Sequence, residues 1–272
     1  MPYQGFVYCA CFKEGKCLPS PYPDELKFAG EDFYFAPFSQ QRTEPLFKME
    51  AEVAAWKKTA CVHPEMRELE AVVANDMGLE GFRNYIAKNG GNQTYPHSSR
   101  LVEQVGKQAV FVQEAMLAEF RLLKKRAQLT ATTKLVLKEE DTQRIIMIGD
   151  EEEETFFAVL KNGHVFLLKE GYFYILEESG TAQEEFSVLF KAQSFYTYAH
   201  QKTCVDFFQE KGERVSSIRG LGEVQQPGIK RKYKVQKESY NNYRYWKTIF
   251  EALDQLLVAA LKTQNAILWE PV

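Results

Sequence analysis

Four of the five cysteines and one of the four histidines fall within the first 63 residues. They include two tight pairs, Cys9-Ala10-Cys11 and Cys61-Val62-His63. Side chains alternate faces along a strand, so residues 9 and 11 would send both sulfurs to one side. Cys61 and His63 stand just ahead of Pro64, where a helix must end, and are not tied to helical spacing. Zinc takes four sulfur and nitrogen ligands in a tetrahedron, and C-x-C with C-x-H supplies that set. A set completed by the protein is structural, because a catalytic zinc keeps one position for water. The expected cofactor is therefore one structural zinc ion on Cys9, Cys11, Cys61 and His63. Cys17, across the turn after Cys11, could replace Cys9. Two other readings fit the same residues: reduced thiols in a small apolar layer, or a Cys61 nucleophile with His63 as its base. The i, i+2 placement seldom aims an imidazole at the sulfur, which weakens the last.

The rest of the chain offers less chemistry. Gly220-Leu221-Gly222 lacks the third glycine and the helix of a dinucleotide fingerprint, and no phosphate-binding loop, G-x-S-x-G or H-E-x-x-H occurs. His97, His164 and His200 stand alone. The acidic run Asp150, Glu151, Glu152, Glu153 and Glu154 is the expected docking face for a basic protein partner, beside the commoner reading as a solvated loop. Lys230, Arg231, Lys232, Lys234 and Lys237, interleaved with Tyr233, would suit an RNA-facing strand. The better reading is an edge strand protected by lysines.

These residues need elements to hold them. Phe6–Phe12 reads as a strand with a hairpin turn at Lys13–Lys16, and a second short pair is expected at Leu26–Ala29 and Phe33–Ala36. Leu46, Met49, Val53, Trp56 and Ala60 form one helical stripe. Met66, Leu69 and Val73 start a second, and Leu79, Phe82 and Ile86 a third, stopped by Gly90-Gly91. A longer helix is expected over 106–126. After Thr130 the period falls to two, with hairpin signals at Asn162-Gly163 and Glu170-Gly171. A final helix spans Tyr240 to about Thr263. The expected fold is α+β: a helix-rich N-terminal region with a small hairpin (1–104), a connecting helix (105–129), and an antiparallel sheet covered by the long C-terminal helix (130–272).

The chain has 272 residues, 45% apolar and 26% charged, with a formal charge of −3. That composition excludes a disordered tail or a collagen-like repeat. The charge argues against nucleic acid as a partner. The longest apolar runs are far short of the roughly 20 residues that span a bilayer. No membrane partner is expected, no secretion signal is read at MPYQGFVYCACF, and the expected compartment is cytoplasmic.

Cys9-x-Cys11 with Glu14-Gly15-Lys16, then Trp56 and Ala60-Cys61-x-His63-x-Glu65-Met66, resembles a family of uncharacterised bacterial proteins. Gly81-Phe82, taken as a turn, and the ending Leu261-Lys262-Thr263-x-Asn265-Ala266-Ile267-Leu268-Trp269 are similar too. The resemblance touches both ends of the chain and leaves 130–238 unaligned. It implies the ligand set Cys9, Cys11, Cys61 and His63, and leaves Cys17 out. In general type such chains are similar to immunity proteins of bacterial toxin systems. The expected function is therefore a non-enzymatic protein-binding protein, an inhibitor or immunity factor whose partner is a basic toxin domain. The alternative is a zinc- or cysteine-dependent enzyme.

Overall fold

The computed structural model describes residues 1–36, 44–150, 155–159, 164–181, 184–201, 204–209, 214–219 and 228–272. The chain divides into two compact units, Met1–Thr130 with Asn242–Val272, and Ala131–Asn241. The first unit opens with β1 (Pro2–Tyr8), β2 (Leu26–Phe28), β3 (Phe33–Phe35), α1 (Glu44–Lys57) and β4 (Arg67–Asn75). Helices α2 (Asp76–Lys88), α3 (Gly91–Thr94), α4 (Pro96–Gln104) and α5 (Glu114–Leu129) follow. The second unit runs through β5 (Ala131–Glu139), β6 (Ile145–Asp150), β7 (Thr155–Val159), β8 (His164–Lys169) and β9 (Tyr172–Thr181). It continues with β10 (Glu184–Ala192), β11 (Ser194–Gln201), β12 (Cys204–Gln209), β13 (Arg214–Arg219) and β14 (Lys230–Asn241). The chain then returns to the first unit as α6 (Asn242–Tyr245), α7 (Lys247–Thr263) and β15 (Ile267–Pro271).

The first unit is built on a sheet of order β15-β1-β4, antiparallel throughout. Its core joins Val7 and Val73 to Phe82 of α2, Phe120 of α5 and Leu253, Leu256 and Leu257 of α7. Asn75 caps α2, its Oδ1 accepting the Gly78 N–H at 2.9 Å. Asp254 of α7 takes Arg121 and Lys124 of α5 at 3.2 Å each, which ties the two helices together. β2 and β3 form a separate two-stranded sheet.

In the second unit a four-stranded sheet, β10-β9-β8-β7, and a six-stranded sheet, β13-β12-β11-β14-β5-β6, share one core. Phe166, Phe173, Phe195, Phe207 and Tyr233 fill it with ring contacts of 4.9–6.1 Å. Glu170 and Gly171 both have positive φ, 52° and 82°, as a two-residue hairpin turn between β8 and β9 requires. The turn signal at Asn162-Gly163 lies outside the described residues.

The α+β class holds, but the expected arrangement does not. Strands make up 39% of the chain, and the N-terminal region is organised on a sheet instead of being helix-rich. Three differences account for this. Residues 67–75 form β4 and not a second helix, because Leu69, Ala71 and Val73 also fit a period of two and join the core that α7 completes. β1 makes no hairpin with the residues after it; it takes β15 on one side and β4 on the other. The long C-terminal helix packs on β4 and β1 of the first unit, so it is not the cover of the 131–241 sheets.

Two smaller readings also change. β14 lies between β11 and β5 and is no edge strand; its lysines alternate with the buried Tyr233 and Val235, and Lys230 sits 4.0 Å from the Tyr196 ring centroid. Gly81-Phe82 lies inside α2, where a Cβ on Gly81 would stand 2.8 Å from the Trp246 ring. Among the described residues, no helix is long and apolar enough to cross a membrane.

Candidate metal centre

The centre forms where β1 ends and the chain after α1 passes beside it. The Cys9 N–H donates to the Met66 carbonyl at 2.7 Å. The buried Asn265 donates from Nδ2 to the Tyr8 and Cys9 carbonyls at 2.8 and 3.2 Å. Beyond Cys9 the chain turns tightly: Glu14 N–H donates to Ala10 O at 3.0 Å, and Lys16 N–H to Cys11 O at 2.8 Å. Gly15 meets this turn at φ 66°, a conformation glycine adopts without a Cβ penalty. The Leu18 N–H then reaches the Ala60 carbonyl at 2.7 Å, which draws Cys17 and Cys61 to the same place.

Cys61 is followed by an irregular 3-10 turn at Pro64–Met66. Glu65 and Met66 both occupy the left-handed region, with φ 51° and 59°. For non-glycine residues this costs about 1–2 kcal/mol each. Met66 offsets the cost by burying its side chain to 1% exposure while its carbonyl receives Cys9. The aromatic wall is Phe12, Phe28, Phe33 and Trp56, set edge to face at 5.1–6.4 Å around Phe12 and Trp56. The Trp56 indole donates to Leu18 O at 3.2 Å.

Within this frame the Cys9, Cys11 and Cys61 sulfurs lie within 4.8 Å of one another, an arrangement that could hold a metal ion. The Cys9 and Cys61 sulfurs are 3.7 Å apart. Burial raises the Cys9 thiol well above its ordinary pKa, opposed in part by the Cys11 N–H directed at its sulfur. Burial also raises Cys11. The Cys17 thiol is pushed up to about 12, first by burial and then by Cys61 and Cys11 beside it. Such thiols stay protonated and weakly nucleophilic in neutral water, while a bound cation favours the thiolate.

Of the four ligands read from the sequence, three converge. His63 does not join them: its Nε2 faces Glu68 Oε2 at 3.5 Å, and Glu68 also pairs with Lys262. Only the His63 carbonyl faces the site, 3.7 Å from the Cys61 sulfur, so the imidazole is not aimed at the thiol as a base would be. Cys17, set aside by the resemblance, packs in the same cluster as Cys9, Cys11 and Cys61. Asp150 ends β6 with its carboxylate on Lys134 at 3.0 Å. Glu151, Glu152, Glu153 and Glu154 lie outside the described residues.

Sequence reasoning missed Asn265 and Met66 as supports of the centre. Both stand in segments that carry the resemblance, Met66 in Ala60–Met66 and Asn265 in Leu261–Trp269, which was their one signal; nothing in the sequence announces a methionine at φ 59°. Comparison of the chain with family models, with curated proteins and with solved structures gave no match.

Proposed function

We propose that the chain is a non-enzymatic protein-binding protein whose first unit is fastened by a structural zinc ion. The convergence of the Cys9, Cys11 and Cys61 sulfurs within 4.8 Å supports the zinc part of this reading. Zinc suits it because thiolates are its preferred structural ligands, and the ion adds binding free energy directly to the stability of the fold. It would join the end of β1 to the segment after α1, across some fifty residues of short elements. A structural role is favoured by raised thiol pKa values and by an imidazole turned away from Cys61. The toxin–immunity type of the partner follows the sequence resemblance, and its basic charge follows the acidic run Asp150–Glu154.

Elemental analysis of protein purified from zinc-supplemented cells should give one zinc per chain. A content near zero would overturn the zinc reading. Alkylation at pH 7 tests the non-enzymatic reading, with slow modification expected at every cysteine of the cluster. A thiol that reacts far faster than free cysteine would instead mark a catalytic nucleophile.

A further inference from the structure

We propose that Cys17 is the fourth ligand, so that the centre is an all-thiolate site of Cys9, Cys11, Cys17 and Cys61 with His63 outside it. This inference rests on the zinc reading above and assigns its coordination. A tetrahedral zinc with bonds of about 2.3 Å sets its sulfurs about 3.8 Å apart. The 3.7 Å between Cys9 and Cys61 already matches one edge of that tetrahedron. Three cysteines supply one face, and the fourth ligand must approach from the side they leave open.

Cys17 is a half-buried thiol of the same cluster, with its sulfur outside the group of three that lie within 4.8 Å of one another. It packs among the same aromatic side chains, and its neighbours on either side are pinned to the ligand-bearing segments. Lys16 N–H is bonded to Cys11 O, and Leu18 N–H to Ala60 O. Its sulfur interacts with both Cys61 and Cys11. His63 would instead have to leave Glu68 and turn its ring around a backbone whose carbonyl occupies that approach. Four thiolates leave the zinc complex with two net negative charges. The Cys11 N–H directed at the Cys9 sulfur is the kind of donor that stabilises them.

X-ray absorption at the zinc edge of the unmodified, full-length protein should count four sulfurs and no imidazole nitrogen. Three sulfurs and one nitrogen would overturn the assignment while leaving the zinc reading intact. Protein that holds no zinc would defeat the zinc reading itself. Variants give a second measure by competition with a chelator. Removing a ligand should cost more than the roughly 10–100-fold typical of a residue that only supports one. Cys17→Ser should therefore lose more than about 100-fold in zinc affinity, and His63→Ala less than about tenfold. The reverse order of the two variants would overturn the assignment. The absorption measurement needs neither variant to fold.

Discussion

At the scale of single residues, the charged side chains of the second unit give a prediction that pH can test. Lys138 beside Glu238, together with Tyr240 and Gln236, holds the Glu238 carboxyl below the usual carboxylate range, against some desolvation. A group whose folded-state pKa is lowered adds stability above its unfolded value, about 4.3 for glutamate. That contribution is lost as pH falls through the folded value. Glu238→Gln should lower stability at pH 7 by no more than about 1 kcal/mol, since part of the group meets solvent. The difference from the parent should shrink to nothing as denaturation is followed below about pH 4. A gap that stays constant as pH falls below about 4 would mean that packing, not charge, sets the effect. The centre shows how far residues can be read in advance. Cys9, Cys11 and Cys61 come together as the sequence reading expected, but not by strand alternation: β1 ends at Tyr8, and a tight turn carries Cys11. That His63 faces Glu68 was not legible, and neither propensity nor spacing announces the left-handed Glu65 and Met66 that follow it.

At the scale of elements, the first unit depends on how closely β1 lies to its cover. A Cβ on Gly5 would stand 2.6 Å from Leu256 of α7 and 2.8 Å from Trp269 of β15. Gly106 has φ 74°, and a Cβ there would meet the Tyr3 ring at 2.4 Å. Gly5→Ala should therefore cost about 1–3 kcal/mol by overpacking. Gly106→Ala, which adds backbone strain to a clash, should cost at least as much. Urea denaturation would measure both, and a neutral Gly5→Ala would show that α7 can shift away from the sheet. Elements with a single period were legible: the alternation after Thr130 is β5 from Ala131, the Glu170-Gly171 turn joins β8 to β9, and α2 ends before Gly90-Gly91 as expected. β4 was not, because Leu69 and Val73 satisfy a helical spacing as well as an alternating one with Ala71. Only the partner strand β1 decides between the two, and a strand's partner is not written in its own residues.

At the scale of the whole molecule, residues 131–241 interrupt the first unit between Thr130 and Asn242. Ala131 pairs with Asn241 at the adjoining ends of β5 and β14. Next to them, Asn242 donates to Thr130 twice, from its N–H at 3.0 Å and from Nδ2 at 2.9 Å. Deleting 131–241 and joining Thr130 to Asn242 through one or two glycines should leave the first unit folded with its zinc. Cooperative unfolding and an unchanged metal content are the expected results; a molten product would show that each unit needs the other. The position of β1 between β4 and β15 also orders events in time. Tyr3 must meet Ala74 on one side and Pro271 on the other. Closing a loop costs more entropy as it lengthens, so the nearer pairing is the cheaper one to form first. All the thiols of the centre lie on that early side of the chain, within its first 61 residues. A metal ion captured there would tether β1 in register long before α7 and β15 arrive to bury it, making the centre a guide to assembly as well as a brace for the finished fold.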